Sequence, residues 1–132
     1  MNTWHSVHGP DGQLLFDRMR FARSSRSRLR GLLGRRSLPA GEGLAFREKS
    51  IHMFFMRMPL DIVFCDADME IIRIVPELRP WRTAGARRAR YALEIGPGEA
   101  ARLGLRKGMT LKVEPAFERR ARRLNVSPLT KA

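Results

Sequence analysis

The chain has 132 residues, room for one domain and one modest core, and its 43% apolar share excludes wholesale disorder. No apolar run approaches the ~20 residues that span a bilayer, and a single cysteine excludes an internal disulfide framework or a cysteine-based zinc site. The net charge of +13 turns attention to nucleic acid, anionic lipid or an acidic partner, although 22 of the 26 basic residues are arginine, a bias that genomic base composition also produces.

The first residues, "MNTWHSVHGPDG", hold no basic stretch followed by an apolar one, so no export leader is read and the expected location is the cytoplasm. His5 and His8 lie in this unpatterned segment without acidic partners at a metal-ligating spacing. The expected organisation is an N-terminal segment over 1–13, a mainly β domain over 14–114 and a basic tail over 115–132.

Residues 14–22, "LLFDRMRFA", alternate loosely and predict a half-buried strand with Met19 and Phe21 inward. Ser24 or Ser25 then caps a short predicted helix with Leu29, Leu32 and Leu33 at helical spacing, ended by Gly34. A turn-rich loop follows around Pro39, Gly41 and Gly43.

From Leu44 to Pro76 the texture changes to short apolar runs, "LAF", "IHMFFM", "LDIVFC" and "EIIRIV", rich in strand formers and too short for separate helices. "DADM" predicts the turn of a hairpin, because aspartates favour turn conformations. Pro59 lacks an amide donor, so "RMP" predicts an edge, bulge or turn.

"ELRPWRTAGARRAR", residues 77–90, reads as an exposed basic loop. "YALEI" predicts a strand, "GPGEAARLG" a helix of one or two turns ended near Gly104, and "MTLKV" a last strand. The tail is basic and proline-broken. The sum is six or seven short strands and two short helices without regular crossovers. That predicts a mainly β, single-domain, mostly antiparallel barrel- or sandwich-like fold.

No phosphate-binding loop, nucleophile elbow, zinc-protease or dinucleotide motif is present, and "DADME" lacks the spacing of a calcium loop. No cofactor and no metal are therefore expected. Cys65 lies in the apolar run "DIVFC" and reads as an unreactive buried thiol.

The basic residues fall into three groups. Arg18 to Arg36 holds eight arginines and no acid; 79–90 holds five beside Trp81 and Tyr91; the tail holds Arg119, Arg120, Arg122 and Arg123. Arg26, Arg28, Arg30, Arg35, Arg36, Arg79, Arg82, Arg87 and Arg88, with Trp81 to stack a base, are the candidate anion-binding residues if the groups converge; scattered, they are a solvated surface.

Three quoted stretches, "RGLLGRRSLPAGEGLAF", "FFMRMPLDIVFCDADMEIIRIV" and "ARYALEIGPGEAARLGLRKGMTLKV", resemble in content and order the family known as domain of unknown function 192. The resemblance covers about residues 14–113 and implies a mainly β, barrel- or sandwich-like fold; it implies no activity. The family's Phe-Trp-Met-Lys-Asn strand falls on Phe54, Phe55, Met56, Arg57 and Met58. Its acid is kept as Asp61, and its Arg-Tyr-x-Leu-Glu as Arg90, Tyr91, Leu93 and Glu94. The resemblance also implies an export signal in many relatives, which is not expected here from residues 1–12.

"HMFFMRMPLD" thus becomes the segment of most interest. Asp61 and Glu94 are acids within apolar strands, and a buried carboxylate must be paired or hydrogen-bonded. One reading is structural, with Arg57 and Arg90 as the partners that fix strand register. The other is a pocket in which His52, Asp61 and Glu94 converge beside Phe54 and Tyr91.

The leading functional expectation is a small binding or accessory module for a small molecule or a protein partner. The alternative is a basic nucleic-acid-associated protein. A weaker third reading is a hydrolase in which Asp61 and Glu94 divide acid and base roles, which requires both carboxyls to face one cavity.

Overall fold

Alternating apolar residues pair into strands where the chain returns on itself, and the described residues hold nine of them. The computed structural model describes residues 4–22, 32 and 34–115. In chain order the strands are β1 (Trp4–His8), β2 (Leu14–Phe21), β3 (Glu42–Phe46), β4 (Ser50–His52), β5 (Leu60–Cys65), β6 (Ile71–Leu78), β7 (Thr83–Gly85), β8 (Tyr91–Ile95) and β9 (Lys112–Pro115). A four-residue helix, α1 (Glu99–Arg102), lies between β8 and β9. The helix expected from Ser24 or Ser25 to Leu33 lies outside the described residues except for Leu32.

Seven strands form one sheet in the order β6-β5-β8-β3-β2-β1-β9, while β4 and β7 pair separately. All pairs are antiparallel except β2 with β3. Parallel neighbours need a connection of about a dozen residues or more, which the chain between Phe21 and Glu42 supplies.

Two strands exceed the sequence expectation. β1 arises in the segment without pattern, because pairing with β2 on one side and β9 on the other holds it regardless of alternation. β7 arises within the expected basic loop, where Thr83–Gly85 ladders onto Ser50–His52.

β5 is buried at every residue, since both faces of the central sheet are covered. Leu44, Phe46, Ile62, Phe64 and Ala92 pack on one face beneath Ile51, Met53, Met56 and Met58 of the small sheet and its following turn. Ala45, Val63, Leu93 and Ile95 pack on the other against Val7, Phe16, Met19, Ala100, Leu105 and Leu111. Each buried Val, Leu, Ile, Met or Phe among them contributes roughly 1.5–3 kcal/mol by leaving water.

Phe16 and Met19 both reach this second core because β2 carries an irregularity. Opposite His5 stands Met19, and opposite Val7 stands Phe16, so one extra β2 residue is accommodated. Simple alternation puts the two side chains on opposite faces; the shift brings them together.

The sheet is not closed into a barrel, and the architecture is sandwich-like. A single bridge between Glu70 and Thr110, flanked by Ile71 N–H to Met109 O (2.7 Å) and Leu111 N–H to Met69 O (2.9 Å), ties the β6 edge to the chain entering β9. The "DADM" hairpin turn forms as expected: the Asp66 carboxylate accepts from the N–H groups of Asp68 (2.9 Å) and Glu70 (3.0 Å).

Candidate functional site

Asp61 is 1% exposed and points into the core that holds Ile95, its cross-strand partner. Its carboxylate accepts three backbone hydrogen bonds, Glu77 N–H to Oδ1 at 2.8 Å, Gly98 N–H to Oδ1 at 3.2 Å and Ala100 N–H to Oδ2 at 2.9 Å. The amides of Gly98 and Ala100 belong to the start of α1, where backbone donors have no partner within the helix. Asp61 therefore fastens β6 and α1 onto β5. Backbone amides, not the expected arginine, satisfy this carboxylate; Arg57 and Arg90 are both exposed.

Glu94 is fully buried on the opposite face. It stands across from Ile62 on β5 and Leu44 on β3, both members of the first core. Because paired residues share a face and neighbours alternate, the two carboxyls face different cores. The acid–base pair that the hydrolytic reading requires is not assembled.

The remaining residues of the expected pocket separate into two places. At the end of the small sheet, His52 stacks on Phe54 with ring centroids 4.6 Å apart and an angle of 25°. Trp81 lies 5.7 Å from Phe54 and 4.8 Å from Phe55, which continues the run of rings. Phe54, Phe55 and Trp81 are 39%, 63% and 58% exposed.

Two four-residue turns present these rings. The Met53 carbonyl accepts from Met56 N–H at 3.3 Å, and the Arg79 carbonyl from Arg82 N–H at 3.2 Å. Phe55 and Trp81 occupy the third position of their turns with φ of 68° and 69°. Glycine is the usual residue there, and a bulky side chain costs roughly 1–3 kcal/mol.

Tyr91 lies elsewhere, in a cleft of about 640 Å³ lined also by His5, Phe21, Phe46, Arg47 and Met69. Phe21 meets His5 edge-on at 4.8 Å and Tyr91 edge-on at 6.4 Å. The Arg47 guanidinium sits 5.9 Å from the centroid of the Tyr91 ring, a cation facing an electron-rich face. Sequence reasoning missed His5, Phe21 and Arg47 as site residues, since they come from β1, β2 and the turn after β3. Only the inward placement of Phe21 hinted at them.

The tail arginines Arg119, Arg120, Arg122 and Arg123 lie outside the described residues, and the described arginines stand in several local settings. Arg35 forms an ion pair with Glu42 (Nη1 to Oε2 2.9 Å, Nη2 to Oε1 3.3 Å), and Arg36 is exposed nearby in sequence. The Arg35 guanidinium holds the Glu42 carboxyl below its ordinary range. Arg79 and Arg82 flank Trp81, whereas Arg87 and Arg88 line an open groove with Arg73, Lys107, Asp66 and Glu70. Arg26, Arg28 and Arg30 lie outside the described residues. Among the described residues, no three histidines, cysteines or acids gather in a metal-ligating group, and no helix is long and apolar enough to cross a membrane.

The model of the domain of unknown function 192 family, described as "Uncharacterized ACR", matches residues 7–113, most of the chain. The chain belongs to this family. Comparison with curated proteins finds no match. A crystal structure of a protein of unknown function from Novosphingobium aromaticivorans is 29% identical, with TM-score 0.70 and 84% of each chain covered. A Sinorhizobium meliloti protein described as a "putative transcription regulator" is 24% identical, with TM-score 0.72 and coverage of 86% of this chain and 94% of its own. At that identity the second likeness concerns the fold alone. The two solved structures share this chain's fold, and the family's description assigns no activity.

Proposed function

We propose that this member of the domain of unknown function 192 family is a binding module for a small anionic molecule with a flat apolar body. The observation that carries this reading is Arg47 facing the Tyr91 ring at a cleft lined with aromatic side chains. The cleft's volume of about 640 Å³ lies within the range of small-ligand pockets. Phe21 and Tyr91 offer ring surface to the ligand body, and the exposed Arg47 offers a charge-assisted donor pair to a carboxylate or phosphate.

A thermal-shift screen of nucleotides and aromatic carboxylates tests it. A ligand at a hundred times its Kd stabilises the fold by about 2.7 kcal/mol. Arg47→Gln and Tyr91→Ala are expected to abolish that shift, the exposed Arg47 without lowering the unliganded Tm and Tyr91 at some cost to it, because its ring packs against the second core. A screen without any stabilising compound, or a shift that both variants retain, sinks the reading.

A further inference from the structure

The exposed rings at the end of the small sheet are outside the cleft and have no part in its chemistry. Their position is unusual in two respects. Both Phe55 and Trp81 keep a bulky side chain where the backbone favours glycine, and neither is repaid by burial. The two turns are also held together, because the Met53 carbonyl accepts from Trp81 N–H at 2.7 Å and Met53 N–H donates to the Arg82 carbonyl at 2.8 Å. The rings are thus set on a fixed base, at the open end of the β4–β7 ladder.

We infer that these two turns form a stacking platform for a single-stranded nucleic acid. Aromatic faces accept bases of any sequence, and a single strand leaves its bases free to stack. Charge complementarity names the occupant: Arg79 and Arg82 lie in the second turn and Arg57 directly follows the first, all exposed, and residues 51–58 and 79–85 contain no acid. The same ladder leads from the rings toward further cations. Its pairs run from His52–Thr83 through Ile51–Ala84 to Ser50–Gly85, after which Lys49 and Arg87 line one groove, and Arg73, Arg87, Arg88 and Lys107 outnumber the acids Asp66 and Glu70 in the next. The Arg73 guanidinium donates to the Gly85 carbonyl, which fixes that groove to the end of β7. A ring platform continued by a cationic track suits a polyanion with bases. A membrane surface would need the ring-bearing tip without the track.

The inference is independent of the cleft at Tyr91, and different variants report on it. The full chain is titrated against a fluorescently labelled polythymidine strand at low salt, with anisotropy as the readout. Unlabelled duplex and phosphatidylserine vesicles serve as competitors. Expected are binding that weakens with added salt, and a loss of about tenfold or more in affinity for Trp81→Gly and for Phe55→Gly. Glycine accepts the positive φ at both sites, so these variants fold; Trp81→Asn, also tolerant of that conformation, provides the second reading. Arg82→Gln is expected to weaken binding and flatten the salt dependence. No binding at low salt, full affinity in both glycine variants, or stronger competition by duplex or vesicles than by unlabelled strand would overturn the inference.

Discussion

Asp61 and Glu94 lie on neighbouring strands and leave the sheet in opposite directions. Asp61 stands across from Ile95, and Glu94 across from Ile62. Each carboxyl is buried in a different core, so their closeness in the ladder does not make them a catalytic pair. Asp61 serves the fold, as the acceptor that joins the start of α1 to β5.

This role predicts the behaviour of Asp61→Asn. The amide retains one acceptor oxygen and turns an N–H₂ group toward backbone donors. Loss of a charge-assisted acceptor and exposure of a buried donor to another donor should cost about 1–3 kcal/mol. Urea unfolding measures it, with an unchanged slope expected because the surface exposed on unfolding is the same. A variant as stable as the parent would remove Asp61 from this structural role.

The Arg35–Glu42 pair predicts a pH dependence. Glu42 titrates lower in the folded chain than in the unfolded one, so its contribution is present above the ordinary carboxylate range and is lost as pH falls through the lowered value. Glu99 behaves in the same way beside Arg102. The Arg35→Gln variant should therefore lose at most about 1 kcal/mol at neutral pH, since the pair is partly exposed. The gap between parent and variant should close in acid. Thermal melts across the acid range follow it, and a gap that widens in acid contradicts the assignment.

Cys65 should be silent until the chain unfolds. Burial and the nearby Asp66 carboxylate push its thiol up to about 12, with burial the larger cause. A thiol-specific reagent at neutral pH is expected to leave the native protein unlabelled and to label one site per chain in urea. Rapid labelling of the native state would place Cys65 in a functional role instead.

The aromatic turns and the core should respond differently to truncation. Trp81→Gly relieves a strained φ and loses an exposed ring contact, so its stability should stay within about 1 kcal/mol of the parent. Met58→Ala opens a cavity in the first core and should cost roughly 2–5 kcal/mol. Calorimetry of both distinguishes the cases. A large loss in Trp81→Gly would make the ring a packing element.

Local chemistry accounts for much of what was legible from residues alone. "LDIVFC" and "YALEI" are β5 and β8 at the expected residues, the aspartates of "DADM" make their turn, and α1 ends beside Gly104. These features depend on alternation, side-chain size and short-range hydrogen bonds, all properties of consecutive residues. Tertiary structure decided where each side chain points and what it meets. Asp61 finds its donors 16, 37 and 39 positions away, and the bulge in β2 puts Phe16 and Met19 in one core against their alternation. His52 and Tyr91, expected in one pocket, sit at separate sites, while His5, Phe21 and Arg47 complete the cleft. Strand register and sheet order set these encounters, and both are fixed by pairing between distant segments, which the pattern within any one segment does not encode.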